Sequence, residues 1–284
     1  MPNLIVLLLR NIRKFPASNW LILFLLTLGL LSGWKCAQAS TPQHMLQAGK
    51  LAQRTTPDTA PTALKNLLTQ IDTAASQGNV TKVMQFYSPN FTTGDGLTHA
   101  NMEKALVGLW KRYPQLKYTT QLQSWKSEGN AIIAETVTNI TGSPSANSNN
   151  LALNATITSR QRISGTQIVR QDILTERTQL SSGAKPPQIN INLPQQVRVG
   201  QQYNFDAIVT EPLGEDFILG AALEEPIQAE KYLSPTSVDL ELLTTGGLFK
   251  VGKAPSTPGN QWLSAVILRG DGMTMVTQRL QVVK

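Results

Sequence analysis

From residue 62 to 114 the apolar positions recur with a helical period. Leu64, Leu67, Leu68, Ile71 and Ala74 share one face, which predicts a helix that starts near Pro61 and stops at Gly78. Asn79 caps a shorter helix with Val80, Val83, Met84 and Tyr87 on one side, ended by Pro89. Thr98 caps a third, carrying Met102, Leu106, Leu109, Trp110 and Tyr113 and stopped by Pro114. The period then changes to two. Leu116 to Trp125 alternates, and Glu128-Gly129-Asn130 turns the chain into Ala131 to Ile140. A polar loop over 141–150 leads to Leu151 to Ile163, and Ser164-Gly165 turns it into Gln167 to Arg177.

Beyond 188 the pattern is strand-like throughout. Tyr203, Phe205, Ala207 and Val209 form one alternating row, shorter apolar runs follow, and Leu263 to Arg269 with Met273 to Val283 read as a closing hairpin. Ser181-Ser182-Gly183-Ala184-Lys185-Pro186-Pro187 breaks the composition between the two parts. The expected organisation is a first domain over 62–181, a Pro-rich connector over 182–187 and a second domain over 188–284.

The start of the chain is different in kind. Arg10, Arg13 and Lys14 precede the 12-residue apolar run Trp20 to Leu31, and Ala37-Gln38-Ala39 is a small-x-small site before Ser40. Residues 1–39 therefore read as a signal peptide, or as a signal anchor if retained, with a polar linker over 40–61. The expected location is exported, in the periplasm or another extracytoplasmic space, or else membrane-anchored by residues 20–39. The net charge of +7 changes meaning in this light. Arg10, Arg13, Lys14 and Lys35 leave with the signal and the rest carries +3, so the charge does not argue for nucleic acid. One Cys and two His exclude a disulfide framework and a multi-histidine metal centre, and no cofactor fingerprint is present.

The "helix, Gly78-Asn79, short helix, Tyr87-Ser88-Pro89-Asn90-Phe91" opening, the helix HANMEKALVGLWKRYP and the long strands that follow resemble the nuclear transport factor 2-like, or SnoaL-like, cone-fold superfamily. The Val-Gly-Gln-x-Tyr-x-Phe start of the second part and its closing hairpin resemble bacterial immunoglobulin-like domains. Together these imply an α+β cone, three helices on a curved antiparallel sheet, plus an all-β immunoglobulin-like sandwich. The cone superfamily includes isomerases, dehydratases, hydrolases and bare binding modules, so the resemblance speaks to fold more than to activity.

Candidate chemistry is sparse. Glu135 interrupts the apolar row Ala131, Ile133, Val137. Facing the helices it would be desolvated and prepared for acid/base work; facing out it would be a solvated carboxylate. Asp172, between Ile168 and Leu174, poses the same question. His99 reads as a base or as an exposed helix-start residue, and Tyr87 as a proton-carrying partner. Trp110, Tyr113 and Trp125 are candidates to line a ligand pocket, or plain core. Arg160 and Arg162 fall on the strand face opposite Leu153, Ala155 and Ile157 and are expected outside. The expectation that results is an exported binding or interaction protein for a small ligand or an envelope protein. The alternative is a small isomerase- or dehydratase-type enzyme using a cone carboxylate. A homodimer through the cone sheet is a further expectation.

Overall fold

The computed structural model describes residues 56–284 except 146–149, 215, 234–235 and 271. The signal-like segment, most of the 40–61 linker and Asp271 lie outside the described residues. Among the described residues no helix is long and apolar enough to cross a membrane.

Among the described residues three α-helices lie ahead of the long strands. α1 spans Thr62–Ser76 and buries Leu64, Leu67, Leu68, Ala74 and Ala75. It stops where Gly78 takes φ +64, a left-handed conformation that costs glycine nothing. α2 spans Val80–Met84, and the Asn79 side chain accepts from the Lys82 amide at 2.9 Å. α3 spans His99–Arg112, and the Thr98 hydroxyl accepts from the Asn101 amide at 3.3 Å. Both caps sit where the sequence places them.

Among the described residues thirteen strands follow the order β1 Tyr87–Thr93, β2 Leu116–Glu128, β3 Ala131–Gly142, β4 Ala152–Ser164, β5 Gln167–Ser182, β6 Ile189–Asn192 and β7 Gln196–Arg198. They continue with β8 Gln202–Val209, β9 Ile218–Pro226, β10 Glu241–Leu243, β11 Gly247–Lys253, β12 Gly259–Arg269 and β13 Gly272–Val283. One large sheet runs β10-β9-β12-β13-β5-β4-β3-β2, with β1 parallel to β5 and β7 parallel to β13. A small sheet runs β11-β8-β6.

This arrangement corrects the expectation of a cone plus an immunoglobulin-like sandwich. Among the described residues 54% lie in strands and 19% in helices, and a single sheet carries strands from both parts of the chain. The cause is the length of β5. Its second half runs on past β1, and the free edge there is taken by β13, from Met273 opposite Ser182 to Gln278 opposite Arg177. The first half of the same strand is paired with β1 from Tyr87 opposite Ile168. Ser181 and Ser182, expected at the start of a connector, are ladder residues. The remainder packs down: the Thr274 hydroxyl donates to the Pro187 carbonyl at 2.7 Å.

Two cores lie on opposite faces of the large sheet. The helices cover one face at the β2–β5 end, where Leu64, Leu68, Phe91, Ala134, Ala155, Ile163 and Ile168 are buried together. The small sheet covers the other face at the β13-β12-β9 end, where Phe205, Ala207, Leu263, Ala265, Ile267 and Leu280 are buried together. The register fixes this assignment. Arg177, on the face away from the helices, stands opposite Gln278, and Leu280 and Val282 follow at period two on that same face. The end strand β2 is closed by α1: Asp72 accepts from the Thr120 amide at 2.6 Å and Ser76 from the Tyr118 amide at 2.9 Å.

Candidate functional site

The side of the sheet that faces the helices carries the first core. Tyr87 is buried with its ring edge-on to Phe91 at 4.9 Å between centroids. Burial, with the nearby Tyr118 and Asp72, raises its hydroxyl far above the ordinary tyrosine range. The Trp110 indole donates to the Tyr118 hydroxyl at 3.0 Å, and burial pushes Tyr118 up to about 12. Tyr113 is buried at the end of α3, and burial raises its hydroxyl as well. A bulge between Leu122 and Ser124 turns Trp125 to this face, opposite Ala134. Trp110 and Tyr113 belong to the core cluster and Trp125 packs on it. His99 sits on the helical side, its Nε2 3.4 Å from the Met84 carbonyl oxygen.

Glu135 and Asp172 lie across the sheet from these groups. Ala134 and Thr136 are fully buried on the helical face, so the alternation turns Glu135 outward. There Ser124, Glu135, Arg160 and Asp172 stand in register on four neighbouring strands. Arg160 grips Glu135 Oε1 with Nε at 3.1 Å and Nη2 at 2.8 Å, and the Ser124 hydroxyl donates to Oε2 at 3.2 Å. Arg170 holds Asp172, Nε to Oδ2 at 3.2 Å and Nη2 to Oδ1 at 2.8 Å. At the strand end Arg162 and Lys126 bond Glu128 and hold its carboxyl below the usual range. The structure therefore brings Glu135 and Asp172 together, and Tyr87, Trp110, Tyr113 and Trp125 together, with the sheet between the two sets.

One constellation was not visible in the sequence. Asp95, in the turn after β1, takes Arg279 Nη1 on Oδ1 at 2.9 Å and Nη2 on Oδ2 at 2.8 Å. It also accepts from the Tyr232 hydroxyl at 2.9 Å and from Asn260 Nδ2 at 3.1 Å. Glu176, on the helical face of β5, accepts from Arg279 Nη2 at 3.2 Å and from the Trp262 indole at 3.0 Å. The Arg279 side chain is 0% exposed and that of Asp95 3%. Burial pushes the Asp95 carboxyl up, but Arg279, Tyr232 and Asn260 outweigh it and hold Asp95 below the usual carboxylate range. Burial also works against the guanidinium charge, and the two carboxylates still drive Arg279 above its ordinary value. The only sequence signals were an acid between Gly94 and Gly96 and an arginine beside Leu280 in a buried strand. Nothing in their spacing linked positions 184 residues apart.

Among the described residues no group of three or more His, Cys, Asp or Glu is placed to hold a metal. An open depression of about 480 Å³ lies between the β3–β4 loop and the connector, lined by Pro144, Asn150, Ala152, Ser181, Ser182, Gly183, Ala184 and Pro186. It presents no ionisable side chain.

Similar solved structures are SnoaL-like and ketosteroid isomerase-like proteins, matched over about 40% of this chain. A SnoaL-like protein from Jannaschia sp. CCS1 is 10% identical, with 39% of this chain and 81% of that one covered and a TM-score of 0.30. A protein with a ketosteroid isomerase-like fold from Catenulispora acidiphila, in complex with trimethylamine, is 13% identical, with 42% and 85% covered and a TM-score of 0.29. Bd1075 of Bdellovibrio bacteriovorus is 16% identical with a TM-score of 0.31; the match covers 39% of this chain and spans 38% of that protein. A family profile for a domain of unknown function (DUF8623) matches residues 184–283, from the connector to the last strand. No curated protein matches the chain.

Proposed function

We propose that this chain is an exported, envelope-associated binding protein, and that the outward face of β2–β5 meets an acidic partner. The observation that supports it best is the charge on that face. Lys117, Lys126, Arg160, Arg162, Arg170 and Arg177 outnumber Glu128, Glu135 and Asp172 there, on strands whose other face is sealed by the helices. A positive, rigid face of this kind steers and orients an acidic surface. The acid/base alternative draws less support, because Glu135 and Asp172 lie across the sheet from Tyr87 and His99 and each is engaged by an arginine. Export rests on the N-terminal sequence: cleavage after Ala39 would leave Ser40 first, and N-terminal sequencing of envelope material reads that directly.

The test is site-specific photocrosslinking of the full chain in cells. A photoreactive residue at Gln121, exposed on the outer face, is expected to give an adduct that is lost in Arg162→Glu/Arg170→Glu. The same probe at Val107, exposed on α3, is expected to give none. Equal adducts at both positions, or none at Gln121, would overturn the reading.

A further inference from the structure

The small sheet ends in a strand that differs from the other long edge of the molecule. The outward amides of Tyr118 and Thr120 on β2 are bonded by Ser76 and Asp72. Among the described residues β11 ends its sheet, with β8 on one side and no strand on the other. Its backbone polarity can be read from the ends of the ladder. The Val209 amide bonds the Gly246 carbonyl, and the Ala254 amide bonds the Gln201 carbonyl. Bonding alternates along an antiparallel pair, so the even-numbered residues of β11 bond β8. Phe249, Val251 and Lys253 then turn their own N–H and C=O groups to the open edge. The side chains of those residues lie on the outer face of the small sheet, where Phe249 is 59% and Val251 68% exposed. A seven-residue edge strand with apolar side chains in the open is an invitation to pair.

We propose that β11 pairs antiparallel with β11 of a second copy, centred on Val251, joining the two small sheets into one six-stranded sheet. Charge selects the partner and the register. A two-fold axis perpendicular to the sheet keeps outer residues opposite outer residues, so the candidate centres are Phe249, Lys250 and Val251. Centring on Lys250 sets the two Lys250 side chains directly opposite each other, which is destabilising. Centring on Phe249 places Lys250 against Leu248. Centring on Val251 places Val251 on Val251, Lys250 opposite Gly252, and Lys253 of each copy opposite Phe249 of the other, where an ammonium meets a ring face. Asp206 stands directly behind Phe249 on β8, about two strand spacings from the arriving Lys253 and within reach of its long side chain. The contact is self-complementary: each copy supplies the same acid, ring and base. Lys250 keeps its ion pair with Glu224 at 3.3 Å. This inference concerns the small sheet and stands apart from the proposal for β2–β5.

Cysteine crosslinking of the full chain in envelope vesicles tests it, in a Cys36→Ser background. Opposed Cα atoms in a hydrogen-bonded pair are about 5.5 Å apart, inside the range of about 4.4–6.8 Å that a disulfide spans. Val251→Cys is expected to give a disulfide dimer of twice the chain mass under oxidant. Lys253→Cys, offset from its own copy by four residues, is expected to give none. Adding Phe249→Pro to Val251→Cys removes an edge donor without touching the β8 ladder, and the dimer band is expected to disappear while the far-UV spectrum is kept. Equal dimer from Lys253→Cys would overturn the register. Monomer throughout, or adducts of another mass at Val251→Cys, would overturn self-pairing, the latter in favour of a foreign strand.

Discussion

Two arginine–carboxylate pairs lie on opposite faces of the large sheet, on the strands either side of β5, and their surroundings set their worth. Arg160 grips Glu135 on the open face of β2–β5, with the arginine side chain 47% exposed. Arg279 grips Asp95 where the turn after β1 meets β12 and β13, with the arginine side chain 0% exposed. Water screens the first, and pairs of that kind contribute about 0–1 kcal/mol. The second has no water to fall back on. Each ion taken out of solvent costs several kcal/mol, of the order the handful of bonds from Tyr232, Asn260, Glu176 and Trp262 must offset. The comparison separates pairing, supplied by strand register at Glu135 and by the turn after β1 at Asp95, from dependence on pairing, which burial supplies at one.

The largest effect is expected from Arg279→Met, which leaves Asp95 and Glu176 buried near each other with no cation. The cost is about 3–5 kcal/mol, a large part of the stability of an ordinary domain, and denaturant unfolding measures it. Arg279→Lys should recover only part, since an ammonium cannot grip both oxygens of Asp95 as the guanidinium does. Asp95→Asn should cost less than Arg279→Met, because Glu176 still holds the arginine. A loss below about 1 kcal/mol in Arg279→Met would place the buried pair in the class of the exposed one.

Acid should act through the same pair. The Asp95 carboxyl is held below its unfolded value, so it binds fewer protons folded than unfolded in the window between the two. Its stabilisation is complete above the unfolded value near about 4 and is lost as the pH falls through the lower folded value. Unfolding midpoints of the wild type are therefore expected to fall as the pH drops below about 4, and this part of the fall should be missing in Asp95→Asn. Identical acid profiles would remove Asp95 from the account.

A third effect, intermediate in size, concerns the junction rather than the charge. A Cβ added at Gly272 would come against the Lys185 carbonyl oxygen and Pro186, both backbone that cannot swing aside. Gly272→Ala is expected to cost about 1–3 kcal/mol by lifting the connector off β13. Gly129→Ala, where φ is +61 but the Cβ position is open, should carry only the smaller cost of a left-handed alanine. If the two substitutions are equal, the connector is not packed as described.

Much of the first half was legible. The three helices, the Asn79 and Thr98 caps and the outward Arg160 and Arg162 follow from period and capping chemistry, which are local. Three things were not. β1 hid behind Pro89, because a strand of this kind is defined by its parallel partner β5, some eighty residues on. The facing of Glu135 was undecidable because both rows of β3 are nearly equally apolar; the burial of Ala134 and Thr136 decides it. The shared sheet was missed because the connector's Gly, Ser and Pro residues signal a break in local structure, while Ser181 and Ser182 are held by Thr274 and Met273 from the far end of the chain. The buried cluster was hidden for the same reason: Asp95, Glu176, Tyr232 and Arg279 come from four separate segments.

The smallest effect is expected at Glu135, and it sharpens the comparison most. Glu135→Gln removes the charge, keeps the shape, and leaves Arg160 with water as its alternative partner. The loss should be under about 1 kcal/mol, and the double-mutant cycle of Glu135→Gln with Arg160→Gln should give a coupling of the same small size. Making two bonds does not alter this: Arg160 sets both on one oxygen of Glu135, Arg279 sets one on each oxygen of Asp95, and the pairs differ in solvent access. Added salt should shrink the Glu135 coupling and leave the Arg279 effect nearly unchanged, since mobile ions reach only the exposed pair. A coupling above about 2 kcal/mol at Glu135 would mean that this face is shielded from water in the working protein. Repeating the cycle with the outer-face partner bound should raise the coupling, because a docked acidic surface excludes solvent from Arg160. A cycle that stays flat in the presence of a crosslinking partner would place that partner away from Glu135, towards the Lys117 and Arg177 end of the face.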